Sequence, residues 1–217
     1  MKIRALINMG FLVAFSFTQV ACSVFGIRSE ENPKYEVIAV DGDKEIRSYA
    51  PYIVAKTTIK GDFKNAQSAA FRVLAGYIFG ANEKKQSITM TAPVVQSKAE
   101  KGEKLDMTAP VVQSKSDDGW QMAFMMPSKY KLEDLPTPND KRIQFEKVPA
   151  KIMGAIRYSG RGLEATNAEK ANELKSWLVA NGQYEITSEP QYAGFDPPWT
   201  LPLFRKNEML FELRKGH

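Results

Sequence analysis

Histidine and cysteine are almost missing from these 217 residues: each occurs once, as His217 and Cys22. With so few of them there is no His/Cys metal cluster and no disulfide framework. The same scarcity removes any Ser-His or Cys-His catalytic pair that does not borrow the C-terminal residue. A basic stripe with interleaved aromatics is also missing. Charges of both signs alternate, as in Glu83-Lys84-Lys85, Lys98 to Lys104 and Asp117-Asp118, which argues against nucleic acid as a partner. Gly160-Arg161-Gly162 lacks the spacing of a phosphate-binding fingerprint. Asp196 is a lone carboxylate in an apolar loop, with no second acid to share proton transfer. Together these absences point away from an enzyme.

No acidic residue precedes Glu30. Lys2 and Arg4 form a basic start, and Ala5 to Ala21 is apolar with only Asn8, Ser16, Thr18 and Gln19 as breaks. Residues 1–21 read as an export signal. Val20-Ala21-Cys22 is similar to the end of a bacterial lipobox, in which the cysteine becomes lipidated and N-terminal. Gln19 stands where leucine is usual, so an ordinary cleaved signal or an uncleaved anchor is the alternative. Lipidation of Cys22 would account for the single thiol of an exported chain. Ser23 carries no aspartate retention signal, which would send a Gram-negative lipoprotein to the outer membrane, facing the periplasm; a soluble periplasmic protein is the other outcome. Removing residues 1–21 takes away Lys2 and Arg4 and no acid, so 30 basic side chains become 28 against 25 acidic ones, a mild net charge.

What is present suffices for a core: 43% of residues are hydrophobic and 11% aromatic. Residues 22–33 read as a tether and 34–217 as one domain. Tyr35 to Val40, Lys44 to Tyr49 and Tyr52 to Lys60 have strand character, with Asp41-Gly42-Asp43 and Ala50-Pro51 as breaks. Asp62 is placed to cap a helix whose apolar period runs from Phe63 to Ile78, with Gly80 as its stop. Trp120 to Met126, Ile143 to Val148 and Lys151 to Ser159 read as strands. Thr166 and Glu169 form a capping box for a second helix ending at Gly182, and Tyr184 to Thr187, Gln191 to Phe195 and Met209 to Leu213 supply the last strands. Tyr52 to Gly61 and Lys151 to Gly160 correspond at an offset of 99, each a strand entered after proline and left through glycine into a helix. The expected domain is therefore α+β, built of two strand-helix-strand-strand repeats at about 34–127 and 142–215.

Inside the first repeat, Met90 to Lys98 (MTAPVVQSK) recurs letter for letter as Met107 to Lys115. Period-two alternation makes each copy a strand, and Pro93 and Pro110 point to a sheet edge or a bulge. The second copy is followed by the short turn Ser116-Asp117-Asp118-Gly119. On that ground it is expected to pair with Trp120 to Met126, leaving the first copy at an edge or in a flap and making Val111 more critical than Val94.

Residues 88–94 (ITMTAPV), 120–127 (WQMAFMMP) and above all 194–208 (GFDPPWTLPLFRKNE) resemble the SOUL/HBP haem-binding protein family in its bacterial exported form, over about residues 33–215. The resemblance implies a distorted antiparallel β-barrel flanked by two helices, an architecture shared with GyrI-like effector-binding domains. It also implies non-covalent binding of haem or another tetrapyrrole in an apolar groove at the first helix, usually without a fixed histidine ligand. Two positions where the family places basic residues fall on Ser68 and Gly76, which leaves Lys64 and Arg72 as substitutes on the same helix. Phe71, Ala75 and Tyr77 either wall the porphyrin or face the sheet as core. Phe195, Trp199 and Phe204, around Pro197-Pro198, either rim the pocket or plug the barrel end. The candidate ligand-binding set is thus Lys64, Phe71, Arg72, Ala75, Phe195, Trp199 and Phe204, with no catalytic or metal-binding residue. Met90, Met107, Met122, Met125 and Met126 are available to iron, although methionine mostly fills cores. Arg205, Asn207 and Glu208 read as a local hydrogen-bonded network. The expected function is non-catalytic binding of a tetrapyrrole by a lipid-anchored protein. The alternatives are a binder of another amphipathic small molecule, or an envelope interaction protein with no small ligand.

Overall fold

The computed structural model describes residues 31–88, 90–98, 119–196 and 199–216. Its strands are β1 (Tyr35–Asp41), β2 (Lys44–Tyr49), β3 (Tyr52–Lys60), β4 (Val94–Lys98), β5 (Gly119–Met125), β6 (Gln144–Val148), β7 (Lys151–Tyr158), β8 (Tyr184–Ile186), β9 (Gln191–Gly194) and β10 (Asn207–Lys215). Helix α1 (Phe63–Ile78) follows β3, and α2 (Glu164–Asn181) follows β7. The fold is α+β, a single antiparallel sheet curled into a half-barrel.

Strand order is β1-β2-β7-β10-β9-β4-β5-β3-β6, with β8 paired to the far end of β10. The order reads alike outward from the central β4·β9 pair: β5, β3, β6 on one side and β10, β7, β2 on the other. Two short Pro-containing links carry the chain across. β2 leads into β3 yet pairs with β7, and β6 leads into β7 yet pairs with β3. Each half therefore completes the other's sheet.

Alternation along the strands splits the apolar residues between two faces. On β3, Ile53, Ala55 and Ile59 point toward α1, where they join Leu74, Tyr77 and Ile78 of the helix and Met122 and Phe124 of β5. On β7 and β10, Ile156, Met209 and Phe211 meet Leu174 and Leu178 of α2. Tyr77 is wholly core, and its hydroxyl donates to the Pro136 carbonyl at 3.0 Å. The inner, concave face carries a smaller cluster around Tyr49, Met153 and Leu210. Each fully buried aliphatic side chain contributes about 1.5–3 kcal/mol, so the two helices hold the sheet's curvature.

Asp62 caps α1 as expected, accepting the Asn65 N–H at 3.0 Å. The second helix differs. Glu164 already lies inside it, and Leu163 at the cap position makes no side-chain hydrogen bond. Thr166 is therefore within the first turn and caps nothing. The structure instead ties the helix start through Asn167, whose amide donates to the Gly162 carbonyl at 3.3 Å while its oxygen accepts from Tyr158.

The duplicated segment corrects a larger expectation. The first copy supplies β4, and β4 is no edge strand: it pairs with β5 on one side and β9 on the other. Val94 sits opposite Phe124 and Gly194. The second copy lies outside the described residues. Pro93 precedes the strand, so it interrupts no ladder. Turn length was the wrong criterion, because the lead-in decides. Ile88 is buried and donates its N–H to the Ile78 carbonyl at 2.7 Å, Thr91 donates to the Met125 carbonyl, and the Ala92 N–H bonds Glu31 O at 3.1 Å. These contacts deliver the first copy into the sheet directly from α1.

On the concave face, Arg47 and Glu208 form a bidentate pair at 2.7 and 3.0 Å, both side chains only 1% exposed. Arg47 Nε also donates to Glu45 at 2.6 Å, and Lys206 approaches Glu208 at 3.1 Å. Burial alone would push the Glu208 carboxyl up; Arg47 and then Lys206 pull it down harder, so it stays below its ordinary value. The expected network in the 205–208 stretch thus reaches across the sheet to β2.

Candidate functional site

A cleft of about 580 Å³ opens on the helix side of the central β4·β9 pair. One wall is the outer edge of α1, where Gln67 and Ser68 stand one turn before Phe71 and Arg72. Phe71 is held edge-on against Phe124 of β5, ring centroids 5.6 Å apart, which leaves its outer face toward the opening. Val94 and Met122 form the floor, and Tyr192 and Gly194 of β9 the opposite wall. Arg161, Asp196 and Arg205 close the end, so three guanidinium groups and one carboxylate surround an apolar floor.

The end wall is built from two pinned loops. Gly162 has φ +62°, and a Cβ there would clash with the Tyr192 hydroxyl, so only glycine lets this turn approach β9. That turn presents Arg161. Tyr192 in turn donates to Asn207 at 2.8 Å, and the Asn207 amide donates to the Gly160 carbonyl at 3.0 Å. The second loop is closed at its base by the Lys206 N–H donating to Asp196 at 2.6 Å and the Phe195 N–H donating to the Lys206 carbonyl at 3.2 Å. Arg205 donates to the Thr200 carbonyl at 2.8 Å. Burial, ahead of the opposing pull of Arg205 and the push of Asp196, raises the Tyr192 phenol to about 12. It is therefore neutral at physiological pH, a hydrogen-bonding wall and not a phenolate.

Beneath α1, a cross-strand row runs Thr57, Met122, Gln96, Tyr192. Gln96 is 2% exposed, and neither its amide nitrogen nor its oxygen has a hydrogen-bond partner; the Thr57 hydroxyl has none either. An unpaired buried amide is costly in a native structure, so it calls for a water or a ligand. Its direct neighbours Met122 and Tyr192 both line the cleft.

Of the residues chosen from sequence, Phe71 and Arg72 line this cleft, and Ser68, set aside there, does too. Lys64 is exposed one turn nearer the helix start and lies off the lining. Ala75 is buried in the helix's inner half. Phe195 packs on the concave face, with the Lys206 ammonium 3.8 Å from its ring centre, and so turns away from the cleft. Trp199 and Phe204 are exposed on the loop that leads into Arg205. Met125 and Met126 are core residues, Met90 packs half-buried against the α1 cluster, and Met107 lies outside the described residues. Sequence reading missed Arg161, Arg205, Tyr192 and Gln96 as lining or neighbouring groups. The Gly160-Arg161-Gly162 turn is the sequence signal that points to Arg161.

A second cleft of about 540 Å³ lies on the concave face, among Tyr52, Gln121 and Gln191. Its charges pair with each other, Lys151 with Glu212 at 3.1 Å and Lys56 with Glu146, so it offers no net charge to a ligand. Among the described residues no group of three or more His, Cys, Asp or Glu is placed to hold a metal, and no helix is long and apolar enough to cross a membrane.

Solved structures with this fold include the EcmrR C-terminal domain, TM-score 0.57 at 17% identity over 84% of this chain and 99% of that one. An uncharacterized conserved protein from Listeria innocua superposes with TM-score 0.52 at 12% identity, over 81% of this chain and 94% of that one. At such identities the likeness is one of fold alone. In sequence, the chain is 28% identical to Heme-binding protein 1 of Xenopus tropicalis over 201 residues, 90% of this chain and 97% of the relative. It is 30% identical to Heme-binding protein 2 of Homo sapiens over 171 residues, 77% of each. The family model for the SOUL heme-binding protein matches residues 30–212, spanning both helices and the loops that close the cleft, and the chain belongs to that family.

Proposed function

We propose that this chain binds haem or a related tetrapyrrole, without catalysis, in the cleft between α1 and β9. The observation that carries the reading is the combination of an apolar floor with three arginines at its rim. A flat macrocycle needs the first and its carboxylates the second, and the volume falls within the range of about 300–1,000 Å³ usual for small-molecule sites. The donor set fits the group's periphery: Arg72, Arg161 and Arg205 would meet propionates, Phe71 and Tyr192 would flank the ring, and Gln96 would supply a hydrogen-bonding group from the floor. Bound haem would supply redox and ligand-binding chemistry, while the chain's own residues position it and exclude water.

Hemin titration followed by the Soret band and tryptophan quenching tests this. Saturable one-to-one binding is expected. Arg72→Ala and Arg161→Ala should each weaken it about tenfold, through loss of a charge-assisted contact. Gln96→Leu should leave stability unchanged or slightly higher, because it removes an unpaired amide, yet weaken hemin. Tyr52→Ala, on the other face, should not affect binding. No binding at micromolar hemin defeats the reading. Loss on Tyr52→Ala and not on Arg72→Ala would place hemin in the concave cleft and overturn the assignment of the site to the cleft between α1 and β9.

The reading extends to location: an exported lipoprotein held at the outer membrane through Cys22. The lipobox-like Val20-Ala21-Cys22 and the single thiol support it. Labelled palmitate should enter the wild type and not Cys22→Ser; equal labelling of the two would sink the anchor.

A further inference from the structure

We infer that the loops at the mouth of the helix-side cleft form a docking surface for an anionic lipid bilayer. Trp199, Leu201, Leu203 and Phe204 are 62%, 45%, 81% and 45% exposed within six consecutive residues. Leu163, 58% exposed, leaves the neighbouring turn, and the two loops are joined by the Gly160 N–H donating to the Pro202 carbonyl at 3.0 Å. Scattered exposed leucines need no explanation, but five large apolar side chains on two joined loops form one patch. Its geometry is fixed from below: Thr200 is buried, its carbonyl accepts from Arg205, and a short 3₁₀ turn runs from Pro202 to Phe204. The apolar tips are therefore held out by a rigid base.

Two observations select a bilayer as the occupant. First, the same loops carry Arg161 and Arg205 behind the apolar tips, and the adjoining cleft lining holds three arginines against the single acid Asp196. Tryptophan and leucine in front with guanidinium groups behind match the order of acyl chains and anionic headgroups across a membrane interface. Second, the chain enters the fold at this end of the sheet. Glu31 O accepts the Ala92 N–H, two residues before Val94, and Val94 faces Gly194, the last β9 residue before the apolar loop. Eight residues separate Cys22 from Glu31, a reach of at most about 30 Å over nine Cα–Cα steps. A chain anchored at Cys22 would keep this end of the sheet within about 30 Å of the lipid. The docking surface itself requires neither the anchor nor a bound tetrapyrrole.

The full chain carrying Trp120→Phe and Trp177→Phe leaves Trp199 as sole tryptophan. It is mixed with phosphatidylglycerol vesicles containing phosphatidylcholine brominated near the top of the acyl chains. Emission should shift to the blue and fall about twofold, as for an indole at the interface. Leu203→Asp should abolish the quench while vesicle co-flotation through residues 1–30 and hemin titration stay unchanged. The converse chain, Trp199→Phe with the other two tryptophans kept, should show no quench. Trp199 remaining open to aqueous acrylamide on a vesicle-bound chain overturns the proposal. So does concentration-dependent shielding of Trp199 without vesicles, which would assign the patch to a second copy of the chain.

Discussion

Glu208→Ala should lower the unfolding free energy by about 3–5 kcal/mol, read from the midpoint of urea denaturation at neutral pH. The loss comes less from the missing attraction than from what remains. Arg47 is 1% exposed and would keep its charge with the bidentate partner gone, and Lys206 would lose the same carboxylate. Replacing both members, Arg47→Met with Glu208→Leu, should recover most of the loss, because paired buried ions give little net stability over apolar groups of similar volume. The pH dependence follows from sign. Glu208 is held below its ordinary value of 4.5, so its contribution is complete above that pH and is lost as pH falls below it, through the folded value. Glu208→Gln should therefore flatten the acid limb of the stability profile. A single variant as stable as wild type, or an unchanged acid limb, would show that the pair is not what joins β2 to β10.

The duplicated segment carries the second large effect. Excising residues 90–106 and excising 99–115 produce the same polypeptide, because the two copies are identical. In that chain the strand would run straight into Ser116-Asp117-Asp118-Gly119. Lys98 already faces Trp120 across the β4·β5 ladder, so four residues would close the hairpin in the existing register. Closure entropy varies only with the logarithm of loop length, so even a fivefold change is worth no more than about 1.5 kcal/mol. The single-copy chain should fold with unchanged hemin binding. In it, Val94→Asp should cost about 3 kcal/mol or more, because the side chain packs on the α1 cluster between Phe124 and Gly194. In the full chain the same substitution should cost well under half as much, since Met107 to Lys115 offers an intact replacement strand. Equal losses in the two backgrounds would show that the second copy cannot stand in for the first, and an unfolded single-copy chain would sink the argument outright.

Local chemistry determined much of this protein by itself. Asp62 before an apolar 3.6-residue period dictates the start of α1, and alternation in Tyr52 to Lys60 dictates β3. The scarcity of histidine and cysteine already disfavoured metal-centred and triad chemistry, and the motif in 194–208 was enough for the family. These signals depend on neighbours within a turn or a strand, which a sequence displays directly. Tertiary structure alone decided the rest. Which copy becomes β4 depends on what precedes it: Ile88, outside the repeat, is buried and bonded to Ile78 at the end of α1, whereas Thr91 and Ala92 recur in the second copy and do not distinguish the two. The crossing of β2 and β6 onto the opposite halves depends on pairing whose partners lie about a hundred residues away. The cleft gathers Arg72, Arg161 and Arg205 from three separate elements, whereas Phe195, only one residue from Asp196, turns to the other face because β-structure alternates. A sequence shows which side chains could serve a site; only the sheet's register and curl bring them to one face.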